Sequence, residues 1–273
     1  MKKTFVKMHG LGNDFAIFDA RAGHFDLTAD QIRFMGHRQT GIGFDQLVVI
    51  YQAVKDDTQA FIRIYNADGS EVGACGNASR CVAHLLNKDL KKDQLVIEIK
   101  STKLVCAPRG DLWCVDMGPV KTEWQDIPLS AACDTLSIPF KLENLPEPVG
   151  VNVGNPHAVF FMDDINSVDV ARLGPVIENH PLFPERVNVE FAQVTGPGKI
   201  NMTVWERGAG MTLACGTGAC ATAIAAIRRG LMPRGPIEIL QKGGSLTIDW
   251  RESDNHVLMT GPVAEVFRGE IAL

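Results

Sequence analysis

Residues 214–227 read ACGTGACATAIAAI, and two readings of them lead to different folds. In one, Gly216-Thr217-Gly218-Ala219-Cys220-Ala221 is a G-x-G-x-x-A dinucleotide loop. In the other, Cys215 carries the chemistry and the glycines let a carboxylate approach the backbone. A dinucleotide loop sits between a strand and a helix of a βαβ unit, with an acidic residue about 20 positions on, at the end of the second strand. Glu238 is near that distance but falls inside the strand pattern IEIL. The stretch also has a twin. FIRIYNADGSEVGACGNASRCVAHLL (61–86) lies on NMTVWERGAGMTLACGTGACATAIAA (201–226) without a gap, at an offset of 140. The twin lacks the three-glycine spacing. The two copies share Ala-Cys-Gly, so shared chemistry is sought at Cys75 and Cys215.

The repeat extends outward. Gly12-Asn13 matches Gly154-Asn155 and Gln46 matches Asn188, both at an offset of 142, and MGPV (117–120) matches TGPV (260–263) at 143. This is one duplication, not a solenoid, whose periods are far shorter. Short alternating segments after each Cys-containing helix (LVIEIK, KLVCAP and DLWCVDM; IEILQK, SLTIDW and HVLMT) read as hairpin strands rather than a βαβ run. The expected fold is α/β in the α+β sense. Two pseudo-symmetric lobes each wrap a curved, mostly antiparallel sheet around a central alanine-rich helix, with the active site in the cleft between them. The expected lobes are 1–120 plus 264–273 and 121–263, with the Pro- and acid-rich LPEPVG (145–150) as a linker between the repeat halves.

Composition narrows the function. The 273 residues carry a net charge of −5, with 45% hydrophobic and 22% charged residues and no long run of one sign. That profile argues against a nucleic-acid surface. No segment reaches the length of a membrane span, and MKKTFVKMHG lacks the apolar core of a signal peptide. Seven cysteines, an odd number with no C-x-x-C, read as reduced thiols in a cytoplasmic protein without a zinc site.

Two cysteines at matching helix starts suggest a particular reaction. A helix N-terminus presents unpaired N–H groups and partial positive charge, which lower a thiol pKa and can bind a carboxylate. Two equivalent acid–base groups on opposite faces of one carbon are what stereo-inversion requires. A cysteine hydrolase needs one cysteine and a nearby histidine. A nucleotide-dependent oxidoreductase and a two-lobe solute-binding protein stand as alternatives.

The motifs KMHGLGNDF, IYNADGSEVGACGNASRC, NVGNPHAVFF, ERGAGMTLACGTGACA and GPVAEVFRGEI together resemble the diaminopimelate epimerase family over essentially the whole chain. The proline racemase branch of the same superfamily, also an alternative, differs at both cysteine motifs. The resemblance implies cofactor-independent, PLP-free interconversion of LL- and meso-2,6-diaminopimelate in lysine and peptidoglycan biosynthesis, with no metal. It implies Cys75 and Cys215 as the catalytic pair. Asn13, Gln46, Asn66, Gly76, Asn77, Asn155, Asn188, Glu206, Arg207, Gly216 and Thr217 are the implied substrate contacts. His157 and Glu206 would tune the cysteine pKa values. Phe267 would lie at a homodimer interface, where the family often has tyrosine. The implied partners are a small amino-acid substrate and a second copy, with no nucleic acid or membrane. Ala78-Ser79 and Met211 depart from the family pattern, which has Gly-Ala and Glu there.

Overall fold

The computed structural model describes residues 2–23, 25–73, 75–100 and 102–273. It divides into two compact units, Met1–Asp116 with Thr260–Leu273, and Met117–Met259. The elements of the first half are β1 (Lys2–Gly10), β2 (Asn13–Asp19), α1 (Ala29–Gly36), β3 (Gln46–Tyr51), β4 (Ala60–Asn66), β5 (Glu71–Val72), α2 (Gly76–Leu90), β6 (Leu95–Glu98), β7 (Lys103–Arg109) and β8 (Leu112–Pro119). Then follow β9 (Val149–Asn152), β10 (Pro156–Phe161), α3 (Val170–Glu178), β11 (Asn188–Gly196), β12 (Lys199–Glu206), β13 (Gly210–Met211), α4 (Gly216–Arg228), β14 (Ile237–Gln241), β15 (Gly244–Trp250), β16 (His256–Gly261) and β17 (Ala264–Ala272).

The duplication is visible in the strand pairing. In the first unit β1–β2, β3–β4, β4–β5 and β6–β7 are antiparallel, while β2–β3 and β4–β6 are parallel. In the second, β9–β10, β11–β12, β12–β13 and β14–β15 are antiparallel, while β10–β11 and β12–β14 are parallel. Register is kept as well. Phe15 pairs with Gln46 as His157 pairs with Asn188. The parallel pairs arise because a helix intervenes: α1 and α3 carry the chain back to start β3 and β11 in the direction of β2 and β10. β17 returns to pair antiparallel with β1, from Lys2↔Ala272 to His9↔Ala264.

The Gly-Asn repeat has a backbone cause. Gly12 (φ 87°) and Gly154 (φ 105°) both occupy the left-handed region, which a side chain would strain. Each turns the chain so that the next asparagine lies at or beside the start of a strand.

Small side chains set the sheet–helix distance. Ala219, Ala221, Ala223, Ala225 and Ala226 of α4 are buried together with Cys220, Thr222 and Ile224. The helix packs against β9, β10, β11, β12, β14 and β15. In the first unit α2 buries Ala78, Ser79, Cys81, Val82, Ala83 and Leu86 and packs on β1, β2, β6 and β7. Among the described residues no helix is long and apolar enough to cross a membrane.

One expectation is corrected. The LPEPVG stretch (145–150), expected as a linker, is partly built into the second unit: Pro148, Val149 and Gly150 are buried and β9 begins at Val149. Ile127, Leu129, Ile138 and Phe140 are buried in one apolar cluster with Phe160, Leu173, Ile177 and Phe191 of the second unit. Pro148, within LPEPVG, accepts a backbone hydrogen bond from Ile138 at 3.0 Å.

Candidate active site

The implied residues form two half-sites, one in each unit. In the first unit Cys75 is the N-cap of α2. Its Sγ lies 3.9 Å from Asn13 Oδ1, which accepts from Asn77 Nδ2 at 3.3 Å. Asn13 Nδ2 donates to Asp45 Oδ2 at 3.0 Å, and the buried Arg80 donates to Asn77 Oδ1 at 2.8 Å. Gln46, at the start of β3, donates to Asn66 Oδ1 at 3.2 Å, where β4 ends. Gln46 Oε1 is buried without a hydrogen-bond partner among the described residues. Gly76 is the first residue of α2, so backbone amides of that turn lie beside Cys75.

In the second unit Cys215 caps α4, and its Sγ accepts from Gly218 N at 3.3 Å and lies 3.5 Å from Thr217 Oγ1. Asn155 Nδ2 donates to Thr217 Oγ1 at 3.3 Å, the counterpart of the Asn13–Asn77 contact. The buried His157 has Nε2 2.9 Å from Asn155 Oδ1 and Nδ1 2.7 Å from Glu190 Oε1. Asn188 donates to Pro156 O at 2.8 Å and accepts from Arg207 N at 3.0 Å. Thr212 donates to Glu206 Oε1. Gly216 opens α4, and the Arg207 guanidinium donates to Glu185 O at 3.0 Å.

Electrostatics corrects the expectation of a lowered thiol pKa at Cys215. Burial pushes this thiol well above its ordinary value, and the Glu206 and Glu190 charges push in the same direction. Thr217 and the Gly218 amide oppose the rise but are outweighed. Burial likewise raises the Glu206 carboxyl, against hydrogen bonds from Thr212 and Cys215. A helix N-terminus favours an anion, but desolvation in an enclosed site is the larger effect.

Four polar residues escaped the sequence reading: Glu190, Gln241, Arg80 and Asp45. Gln241 Oε1 accepts from Cys215 N at 2.7 Å. Glu190 follows Asn188 by two positions on β11 and so shares its face of the strand. An acid inside the otherwise apolar NVEFA was the available signal. Phe267 is 47% exposed on β17 and meets Phe5 edge-on, with ring centroids 5.9 Å apart. Met211 is 52% exposed, and Ser79 donates to Cys75 O at 2.9 Å.

A family model described as diaminopimelate epimerase matches residues 5–123 and 149–266. A diaminopimelate epimerase of Rhodospirillum centenum is 50% identical, over 100% of this chain and 93% of its own length. One from Phenylobacterium zucineum is also 50% identical, over 99% of this chain and 98% of its own. The chain belongs to the diaminopimelate epimerase family. Among solved structures, a hydroxyproline epimerase from Agrobacterium vitis matches with a TM-score of 0.70 at 16% identity, covering 100% of this chain and 93% of its own. A probable proline racemase from Agrobacterium radiobacter matches with a TM-score of 0.71 at 16% identity, covering 99% and 93%. At that identity the likeness is one of fold.

Asn13 is held in this family member by an ionic cluster with a definite pH dependence. Burial works to raise the Asp14 carboxyl, but hydrogen bonds and charge from Arg38 and Lys7 outweigh it and hold it at about 2, below 3.8. A carboxyl lowered on folding stabilises the folded state above its unfolded pKa and loses that contribution as pH falls through the folded value. Wild type is therefore expected to be more stable than Asp14→Asn above about pH 4, with the gap closing between about pH 4 and pH 2. Urea denaturation of both proteins at several pH values checks this; a gap independent of pH contradicts it.

Proposed function

We propose that this protein interconverts LL- and meso-2,6-diaminopimelate without PLP or a metal, with Cys75 and Cys215 as the two proton carriers. The observation that carries the reading is the repeated cysteine at the N-cap of equivalent helices, in a member of this family. Inversion at the α-carbon needs a base on one face and an acid on the other, and each unit supplies one thiol. One thiolate takes the α-proton and becomes a thiol. The other thiol gives its proton to the opposite face and becomes a thiolate. The reverse direction exchanges the roles. The electron pair left on carbon delocalises into the substrate α-carboxylate. Backbone N–H groups at the helix starts, around Gly76-Asn77 and Gly216-Thr217, suit that developing charge.

The remaining contacts follow from the substrate's two amino-acid ends. In this reading Asn13, Asn66, Asn77, Asn155 and Asn188 offer amide donors and acceptors, and Glu206 and Gln46 Oε1 accept from ammonium groups. Arg207 pairs with the distal carboxylate. His157 and Glu206 adjust the Cys215 side.

The same reading includes a homodimer formed through β17, where the consecutive Val266 and Phe267 are 55% and 47% exposed. Sedimentation of Phe267→Asp is expected to give a monomer where wild type gives a dimer. A monomeric wild type sinks this part.

Cys75→Ala and Cys215→Ala are each expected to lower kcat by at least about 10²–10⁴-fold, the usual contribution of a positioned acid or base. The assay is conversion of purified LL-diaminopimelate to the meso isomer after dialysis against a chelator, with no cofactor added. Near-wild-type turnover by either variant, or activity that returns only with zinc or PLP, contradicts the reading.

A further inference from the structure

The Cys75 half-site contains an amide whose direction is set from outside it. Gln46 and Asn66 stand opposite each other in the antiparallel pair of β3 and β4, and Gln46 Nε2 donates to Asn66 Oδ1 at 3.2 Å. Two amides alone could form this bond either way round, because each carries both a donor and an acceptor. Turned over, Asn66 would donate and Gln46 would accept.

The turn that follows β4 removes the ambiguity. Asn66 Nδ2 donates to Ser70 Oγ at 3.1 Å, and the Ser70 hydroxyl donates to Asp68 Oδ1 at 2.6 Å. An ionised carboxylate can only accept, and the Ser70 hydroxyl and amide hold the Asp68 carboxyl below its ordinary value. Ser70 has one hydroxyl hydrogen, and Asp68 takes it. The Ser70 oxygen can then only accept, so Asn66 turns its Nδ2 to Ser70 and its Oδ1 to Gln46. Gln46 must donate through Nε2, and its Oε1 is left over. Backbone groups pin the relay. Ser70 N donates to the same Asp68 oxygen at 2.8 Å, Asn66 N donates to Ser70 O at 2.8 Å, and Arg33 of α1 donates to Asp68 O at 3.1 Å.

The result is an acceptor in want of a donor. Gln46 Oε1 is buried, with no hydrogen-bond partner among the described residues, and a buried carbonyl left unmet costs its desolvation. The second unit does not use this device. Asn188, the match of Gln46, takes its direction from the backbone, donating to Pro156 O and accepting from Arg207 N. Asn66 is matched by Glu206, a carboxyl that needs no such direction, and positions 68 and 70 are matched by Gly208 and Gly210.

We propose that Asp68 and Ser70 are positioning residues that set the specificity of the Cys75 half-site: through Asn66 they leave the Gln46 carbonyl oxygen as the group offered to substrate, so that this position takes an ammonium group and rejects a carboxylate. The inference rests on the proposed contact between Gln46 and the substrate.

Three variants outside the site test it. Ser70→Ala removes the hydroxyl and leaves the backbone turn. Asp68→Ala frees the hydroxyl hydrogen to turn toward Asn66. Asp68→Asn keeps an acceptor, because the Ser70 amide holds its Oδ1 in place. Both positions are exposed, and Ser70→Ala is expected to melt like wild type. Ser70→Ala and Asp68→Ala are expected to raise KM for LL-diaminopimelate about fivefold, the usual worth of one neutral hydrogen bond, with kcat within about twofold because ground and transition states share the contact. Asp68→Asn is expected to match wild type. The proposal is overturned if Ser70→Ala leaves KM unchanged, if kcat falls in place of a rise in KM, if Asp68→Asn is as impaired as Asp68→Ala, or if Ser70→Ala does not fold. Gln46→Met is measured alongside and is expected to raise KM as well. A wild-type KM in that variant, or a wild type that does not epimerise diaminopimelate, overturns the proposed contact instead. The side-chain amide resonances of Gln46, expected to shift in Ser70→Ala and not in Asp68→Asn, then decide the relay.

Discussion

A helix enclosed by a sheet leaves two problems at once: its flank must be narrow, and its first N–H groups must find partners without water. α4 meets the first with a run of alanines from Ala219 to Ala226 that are buried against six strands. It meets the second in part through Cys215, whose Sγ accepts from Gly218 N while Gln241 accepts from the Cys215 amide. α2 likewise takes a cysteine, Cys75, as its N-cap. The alanine-rich helix, the Gly-Asn turns and the parallel strand pairs all serve to present two cysteines from enclosed helix starts.

Enclosure also decides the electrostatics. An exposed helix N-terminus would lower a thiol's pKa, but at Cys215 desolvation and two nearby carboxylates dominate and raise it. The second unit places His157 and Glu190 where the first places Phe15 and Val48, so duplication gave the scaffold and divergence gave the two thiols different surroundings.

Much of this is legible in the sequence, for physical reasons that differ by element. The gapless match of 61–86 to 201–226 exposed the cysteines because a duplicated strand–turn–helix retains its geometry. The strands after each helix were legible from period-two alternation bounded by turns. Glu190 was not, because a single acid in NVEFA reads as an outward-facing residue until the strand is seen to be covered on both faces. The linker reading of LPEPVG (145–150) rests on its prolines and acids, which do not reveal that Pro148, Val149 and Gly150 are buried where β9 begins. The rise in the Cys215 pKa depends on burial by residues distant in sequence, which local pattern does not contain.

The central claim is that two different groups, one for each face of the α-carbon, carry the proton. Its most direct test is epimerisation of LL-diaminopimelate in D₂O, stopped at low conversion, with deuterium located in each isomer by mass spectrometry. The account predicts solvent deuterium at the inverted centre of nearly all the meso product, while the remaining LL substrate stays unlabelled. Deuterium appearing in recovered substrate as fast as product forms, or product that retains the original α-proton, would mean that a single base serves both faces.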